Sequence, residues 1–126
     1  MNQNGYNIYK SNSVNYASKE QLLLMLTEGA VKFAKIARQA ILDKDVPKAH
    51  NSLIRVQEIF TELMVTLDRS AGEWTDDLFN VYSFIKEKLV DANMKKSIEI
   101  MDEIIPLIED VNNLWHDAYK ESKNNR

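Results

Sequence analysis

The chain has 126 residues, 44% of them hydrophobic, and a net charge of −3, a length that closes one core but not two. Three glycines and two prolines, about a third of ordinary usage, are too few for a sandwich or barrel that must turn about every ten residues. The absence of cysteine excludes a disulfide scaffold, a thiol nucleophile and cysteine-ligated metal, and 19 acidic against 16 basic residues with no basic face argues against a nucleic-acid partner.

Residues 1–17 are rich in Asn and Ser, carry Tyr6, Tyr9 and Tyr16, and show no helical period, which predicts a mobile N-terminal arm. Ser18-Lys19-Glu20-Gln21 reads as a capping box, with the serine capping the third helical amide and Gln21 reaching back. A first helix is therefore expected over Lys19–Leu42. Its seam is Leu22, Leu26, Gly29, Phe33, Ile36 and Ala40, alternating by four and three. Leu23, Ala30, Ala37 and Ile41 widen the stripe to a bundle face.

Asp45 suits an N-cap and Pro47 a first turn, where its missing amide costs nothing. A second helix follows with Ala49, Leu53, Val56, Phe60, Leu63 and Leu67 in the same rhythm, and Ser70-Ala71-Gly72 ends it. A third carries Leu78, Tyr82, Ile85, Leu89 and Ala92, with Asn93 as a left-handed cap. Ser97 suits the N-cap of a fourth, which carries Ile98, Met101, Ile105, Ile108, Trp115 and Tyr119, interrupted by Asn112. Pro106 removes a backbone hydrogen bond, so a kink is expected over residues 102–106. Four amphipathic helices with short connections predict an all-α fold, an antiparallel up-down-up-down four-helix bundle. The expected division is an arm over residues 1–17, a bundle over 18–122 and a polar tail over 123–126, with fraying from residue 121.

The longest apolar run, residues 22–26, is far short of the ~20 residues that span a bilayer. Residues 1–5 lack the basic start and apolar stretch of a signal peptide. No membrane insertion and a cytoplasmic location are expected. His50 and His116 are preceded three residues earlier by Pro47 and Asn113, so the paired Glu-x-x-His motif of di-iron bundles is missing. No phosphate loop or nucleophile elbow occurs. The expectation is no catalytic residue, no metal and no cofactor. One enzymatic alternative is a histidine phosphotransfer domain, itself a four-helix bundle with an exposed histidine on its second helix. Lys48-Ala49-His50-Asn51-Ser52 looks faintly similar, but Leu53 and Ile54 stand where that family continues with a lysine and a glycine.

A bundle needs one stripe per helix, and this chain has more. Leu24 and Val31 lie away from the first seam; Ile54 and Val65, with Thr61 nearby, lie away from the second. On the third helix Phe79 and Val90, with Ser83 between them, sit roughly 100° off the seam at ~100° per residue. Antiparallel neighbours put Val65 level with Phe79 and Ile54 level with Val90. Offsets of the same sign on antiparallel neighbours point both stripes toward a shared groove or both away from it: the first arrangement makes an apolar groove that receives another helix or arm, the second leaves scattered surface apolar residues of an ordinary kind.

These residues resemble the flagellin-export chaperone family FliS. The likeness is strongest at Asn12-Ser13-Val14-Asn15-Tyr16-Ala17-Ser18-Lys19-Glu20-Gln21 and the leucines that follow, through Thr27-Glu28-Gly29-Ala30. The family pattern there is threonine-alanine-serine/threonine-proline, then leucines, then tyrosine-aspartate-glycine. Further matches are residues 49–67 followed by Asp68, Val81-Tyr82-Ser83-Phe84 leading to Leu89-Val90-Asp91-Ala92-Asn93-Met94, and Trp115-His116-Asp117-Ala118. Tyr16, Lys19 and Thr27 depart from the usual threonine, proline and tyrosine; Phe84 replaces a common tyrosine and Glu87-Lys88 a basic pair. The resemblance implies a non-catalytic cytoplasmic chaperone that binds the disordered C-terminal segment of flagellin. Binding would prevent premature polymerisation, and the chaperone would deliver flagellin to the flagellar type III export gate. The partner-binding residues expected are Ile54, Thr61, Val65, Phe79, Ser83 and Val90, with Tyr6, Tyr9 and Val14 of the arm covering the groove when no client is bound.

Overall fold

The computed structural model of the protein describes residues 18–124. Four helices fill this span: α1 (Lys19–Leu42), α2 (Val46–Thr66), α3 (Trp74–Lys95) and α4 (Ile98–Asn124), with one 3-10 turn, Arg69–Ala71, between α2 and α3. No strand occurs among the described residues. Each helix packs on the next, and α4 returns to α1 to close a ring. Cross-helix pairs set the directions. Gln21 of α1 meets Tyr119 of α4 while Arg38 meets Asp102. His50 of α2 meets Asn93 of α3 while Phe60 meets Tyr82. One number rises as the other falls, so neighbours are antiparallel, as the short connections require.

The helix starts follow the capping chemistry. Gln21 N–H donates to Ser18 Oγ at 3.2 Å and Ser18 N–H to Gln21 Oε1 at 2.8 Å, a complete capping box. Asp45 caps α2 through Lys48 N–H at 3.2 Å, with Pro47 in the first turn. Ser97 Oγ accepts Ile100 N–H at 3.2 Å at the start of α4. The start of α3 has no side-chain cap. It depends instead on Gly72, whose φ of +150° and lack of a Cβ let Trp74 close over it; a Cβ would lie 2.8 Å from the indole. The Thr75 hydroxyl donates to Gly72 O at 2.7 Å and fastens that corner.

Two helix ends differ from expectation. Asn93 is not the left-handed cap of α3: the helix runs on to Lys95, and Lys96 takes the left-handed conformation at φ 48°. Asn93 stays helical because its side chain has partners there, donating to His50 Nδ1 at 3.0 Å and accepting from Lys96 Nζ at 2.7 Å. At the C-terminus α4 continues to Asn124 rather than fraying from residue 121. Lys123 lies over the Tyr119 ring at 5.4 Å and places a cation in the last turn, where the helix dipole favours it. The helix also runs unbroken through Pro106, which is exposed.

Every seam residue expected in α3 is buried, as are those of α2 from Ala49 to Leu63; Leu67 is half-buried just past the end of α2. The α1 seam is rotated by one residue from the expected one. Leu23, Thr27, Ala30, Ala34, Ala37 and Ala40 face the core, while Leu22, Leu26, Gly29, Phe33 and Ile36 are half-buried. Alanines let α1 approach its neighbours closely, and the larger side chains pack on the flanks of that contact. In α4, Val111 takes the place in the core that Asn112 would interrupt, with Ile104 beside Ile105 and Ile108. Asn112 turns to α1 and donates to Thr27 Oγ1 at 2.7 Å, and that hydroxyl donates to Leu23 O at 2.9 Å. The pair thus crosses the α1–α4 contact with its donors used.

Candidate partner-binding surface

The four edges of the bundle differ in chemistry. The α1–α4 edge is polar along its length: Lys35–Glu109 at 3.4 Å, Arg38–Asp102 at 2.6 Å and His116–Glu28 at 3.0 Å bridge it. The hydrogen bond from Arg38 holds the Asp102 carboxyl below its usual range, and Asp102 in turn raises Arg38. The α1–α2 edge has the most extensive packing, and Arg55 of α2 lies over the Phe33 ring of α1. By contrast α3 makes the least extensive contact in the ring, with α4. It also carries the largest set of exposed apolar side chains: Trp74, Val81, Phe84, Val90 and Met94.

The expected site residues divide among three places. Ile54 and Thr61 of α2 line one shallow hollow of about 350 Å³ with Gln57, Glu58 and, across the groove, Lys86 of α3. Here an apolar floor meets an acidic and a basic rim. Val65, nearer the end of α2, is 78% exposed. Phe79 is half-buried under the Arg69 guanidinium, 4.3 Å from its ring, and Arg69 is held there by Asp76 at 2.5 Å. Phe79 is therefore a covered residue at that end rather than an open contact. Ser83 is half-buried between these regions.

Val90 belongs to a different hollow from Ile54. Its neighbours there are Phe84, Glu87, Lys88, Asp91 and Met94, all on α3. The cross-helix pairs do place Ile54 near the level of Val90, but Val90 points outward instead of into the α2–α3 hollow. Leu24 and Val31 of α1 are half-buried. Tyr6, Tyr9 and Val14 lie outside the described residues.

Val81, Phe84 and Met94 are exposed apolar residues of α3 outside the expected set. Lys88 lies over the Phe84 ring at 5.7 Å and pairs with Glu103 of α4 at 3.7 Å, so Phe84 flanks the α3–α4 edge. The signal was in the spacing: Val81 and Phe84 sit three apart, on the flank of the α3 seam opposite Phe79, and measuring both flanks of the seam would have found them.

His50 is exposed, with Nδ1 accepting from Asn93, and the position three residues on is the fully buried Leu53. No cation is supplied beside the ring from that turn of the helix. Among the described residues no three His, Asp or Glu side chains are grouped to hold a metal, and no helix is long and apolar enough to cross a membrane.

Comparison with known proteins gives a consistent result. A family model described as flagellar protein FliS matches residues 2–122. The chain is 34% identical to the flagellar secretion chaperone FliS of Bacillus subtilis, over 98% of this chain and 92% of that one. It is 29% identical to the flagellar secretion chaperone FliS of Campylobacter jejuni, over 94% and 93%. Among solved structures, a crystal structure of a flagellar chaperone from bacteria superposes with a TM-score of 0.76 at 15% identity, covering 94% of this chain and 97% of that one. At that identity the superposition speaks for the bundle alone.

Proposed function

The chain belongs to the FliS family of flagellar secretion chaperones, and on that premise we propose that it binds the disordered C-terminal segment of flagellin in the cytoplasm. Bound, flagellin is kept from premature polymerisation and delivered to the flagellar type III export gate. The observation that carries this reading is the set of exposed apolar side chains along α3, Val90 and Met94 on its outward face and Val81 and Phe84 toward α4, on the helix that also closes the hollow of Ile54 and Thr61 through Lys86. A terminus that builds a filament core is amphipathic, and an amphipathic helix is masked by laying its apolar face along such a surface. Ordering the client costs roughly 2–5 kcal/mol, so a long contact suits it better than one deep pocket. No step of this activity calls on a reacting side chain, in keeping with a non-catalytic role.

The contact set in this proposal is Ile54, Thr61, Val65, Ser83 and Val90, extended by Phe84 and Met94, with Phe79 reached once Arg69 moves aside. Tyr6, Tyr9 and Val14 of the N-terminal arm cover part of this surface in the client-free protein and give way to flagellin.

The test is calorimetric titration of a synthetic flagellin C-terminal segment into Ile54→Asp and Val90→Asp. Both positions lie outside the fully buried core, so circular dichroism should show unchanged helix content. Each charge is expected to weaken binding about tenfold or more, equivalent to about 1.4 kcal/mol. Unaltered binding by both variants rejects this surface and moves the search to Leu24 and Val31.

A further inference from the structure

At the end of the bundle where α1 turns into α2 and α3 into α4 there is a hollow of about 360 Å³, lined by Ala40, Ile41, Val46 and Ala49 together with Lys44 and Lys96. Both turns are fastened. Asp45 N–H donates to Ala40 O at 2.9 Å, and Ser97 N–H donates to Ala92 O at 3.2 Å. Lys44 and Lys96 are also the only non-glycine residues with positive φ among the described residues, at 58° and 48°. Glycine is the ordinary occupant of such a position, because a Cβ is disfavoured there. A lysine just past a helix suits the helix dipole, which accounts for a cation at each turn. It does not account for the convergence of the two side chains on one apolar hollow.

Neither cation is neutralised nearby. Among the described residues Lys44 and Lys96 form no ion pair. The carboxylates on either side of Lys44 are engaged elsewhere: Asp43 accepts from Gln39 Nε2 at 3.0 Å and Asp45 from Lys48 N–H at 3.2 Å. Lys96 Nζ donates to Asn93 O and Asn93 Oδ1, which leaves one of its three N–H groups. Two ammonium groups beside an apolar hollow match a ligand that carries a carboxylate and an apolar side chain close together. The end of a polypeptide supplies that pair. The proposed client surface also leads here. Ile54 and Val90 lie about one helical turn from the His50–Asn93 pair that joins α2 to α3 at this end. We propose that Lys44 and Lys96 hold the terminal carboxylate of the client, with its last apolar side chain in the Ile41–Val46 hollow. The inference rests on the reading of the client as a flagellin C-terminal segment, and it adds a direction: the client's chain end lies at the α1–α2 turn.

The experiment titrates three forms of the flagellin C-terminal segment by calorimetry: the free acid, the C-terminal amide, and an acid extended by Gly-Ser-Gly-Ser past the natural end. The proteins are full-length wild type, Lys44→Gly and Lys96→Gly. Lys44→Gly should melt no lower than wild type, since glycine accepts φ 58° without steric cost, so a loss of binding there is not a loss of fold. Wild type should bind the free acid about tenfold more tightly than the amide or the extended form. That preference should shrink in both variants while their binding of the amide stays at the wild-type level. A wild type that binds all three forms alike overturns the proposal and leaves the client reading standing. A wild type that binds none of them rejects the client reading, and the proposal with it. A preference for the acid that survives in both variants places the carboxylate elsewhere and overturns the proposal. An extended form that binds as tightly as the natural acid shows that charge is sensed without the chain end, and overturns it too.

Discussion

Tyr82 has no exposed surface, and its ring meets Phe60 edge-on at 5.9 Å while its hydroxyl oxygen accepts a hydrogen bond from Trp115 Nε1–H. One side chain thereby joins α2, α3 and α4. Burial pushes its phenol up to about 12, and the hydrogen bond from Trp115 offsets only part of that rise. The unfolded chain titrates the same group near 10. A pKa raised on folding means that the protonated form is favoured in the native state, so this contribution is complete below pH 10 and is lost as pH rises through 12. The loss amounts to roughly 2–3 kcal/mol. Denaturant titrations between pH 9 and 12 should show stability falling steeply in wild type and much less in Tyr82→Phe. Parallel declines in the two proteins would contradict the assignment. Near neutral pH the same substitution should still cost about 1–3 kcal/mol, because it strands the Trp115 donor.

Helix α1 shows what a seam of small residues does. Ala30, Ala34 and Ala37 have no exposed surface, and α1 makes the two most extensive contacts in the bundle, with α2 and α4. There is no room between these helices for a longer side chain. Ala34→Leu should force them apart and cost about 1–3 kcal/mol by overpacking, read as a lower melting temperature with helix content unchanged. A neutral result would mean that α1 can roll on its neighbours. The same helix marks the limit of what periodicity can reveal. Two stripes one residue apart, one rich in leucine and phenylalanine and one in alanine, fit a helical period equally well. Hydrophobicity favours the larger residues, while close packing favours the smaller. In α2 and α3 the second stripes of Ile54 and Val65 and of Phe79 and Val90 lie ~100° or more from the seam instead of one residue beside it, and there the seam residues from Ala49 to Leu63 and from Leu78 to Ala92 are all buried. Helix starts were legible because Ser18, Asp45 and Ser97 cap through local chemistry. The end of α3 was not, because Asn93 is held in the helix by His50, a residue 43 positions away in the chain. Of the candidate surface, Ile54 and Thr61 were legible as neighbours. The outward turn of Val90 was not, since it depends on how α3 is rotated against both α2 and α4.

For the molecule as a whole, the arm and the bundle make one binding system in the proposed function. Removing residues 1–14, so that the chain starts at Asn15, takes away Tyr6, Tyr9 and Val14 and leaves Tyr16 in place. If the arm competes with flagellin, the truncated protein should bind the C-terminal segment more tightly, self-associate more by light scattering, or both. Weaker binding by a protein that stays monomeric means that the arm touches the client directly, and no change in either measurement means that it is idle. The order of helices around the ring has a further consequence for how the molecule is made. The contact that closes the ring joins the first helix to the last, through Gln21–Tyr119, Thr27–Asn112 and Arg38–Asp102. A ribosome releases chain from its N-terminus at about 5–20 residues per second, so α1, α2 and α3 can pair in turn as they emerge. The alanine face of α1 still waits for α4. Any three-helix sheaf formed before α4 emerges has an open apolar side, and a nascent chaperone in that state is itself in need of shelter.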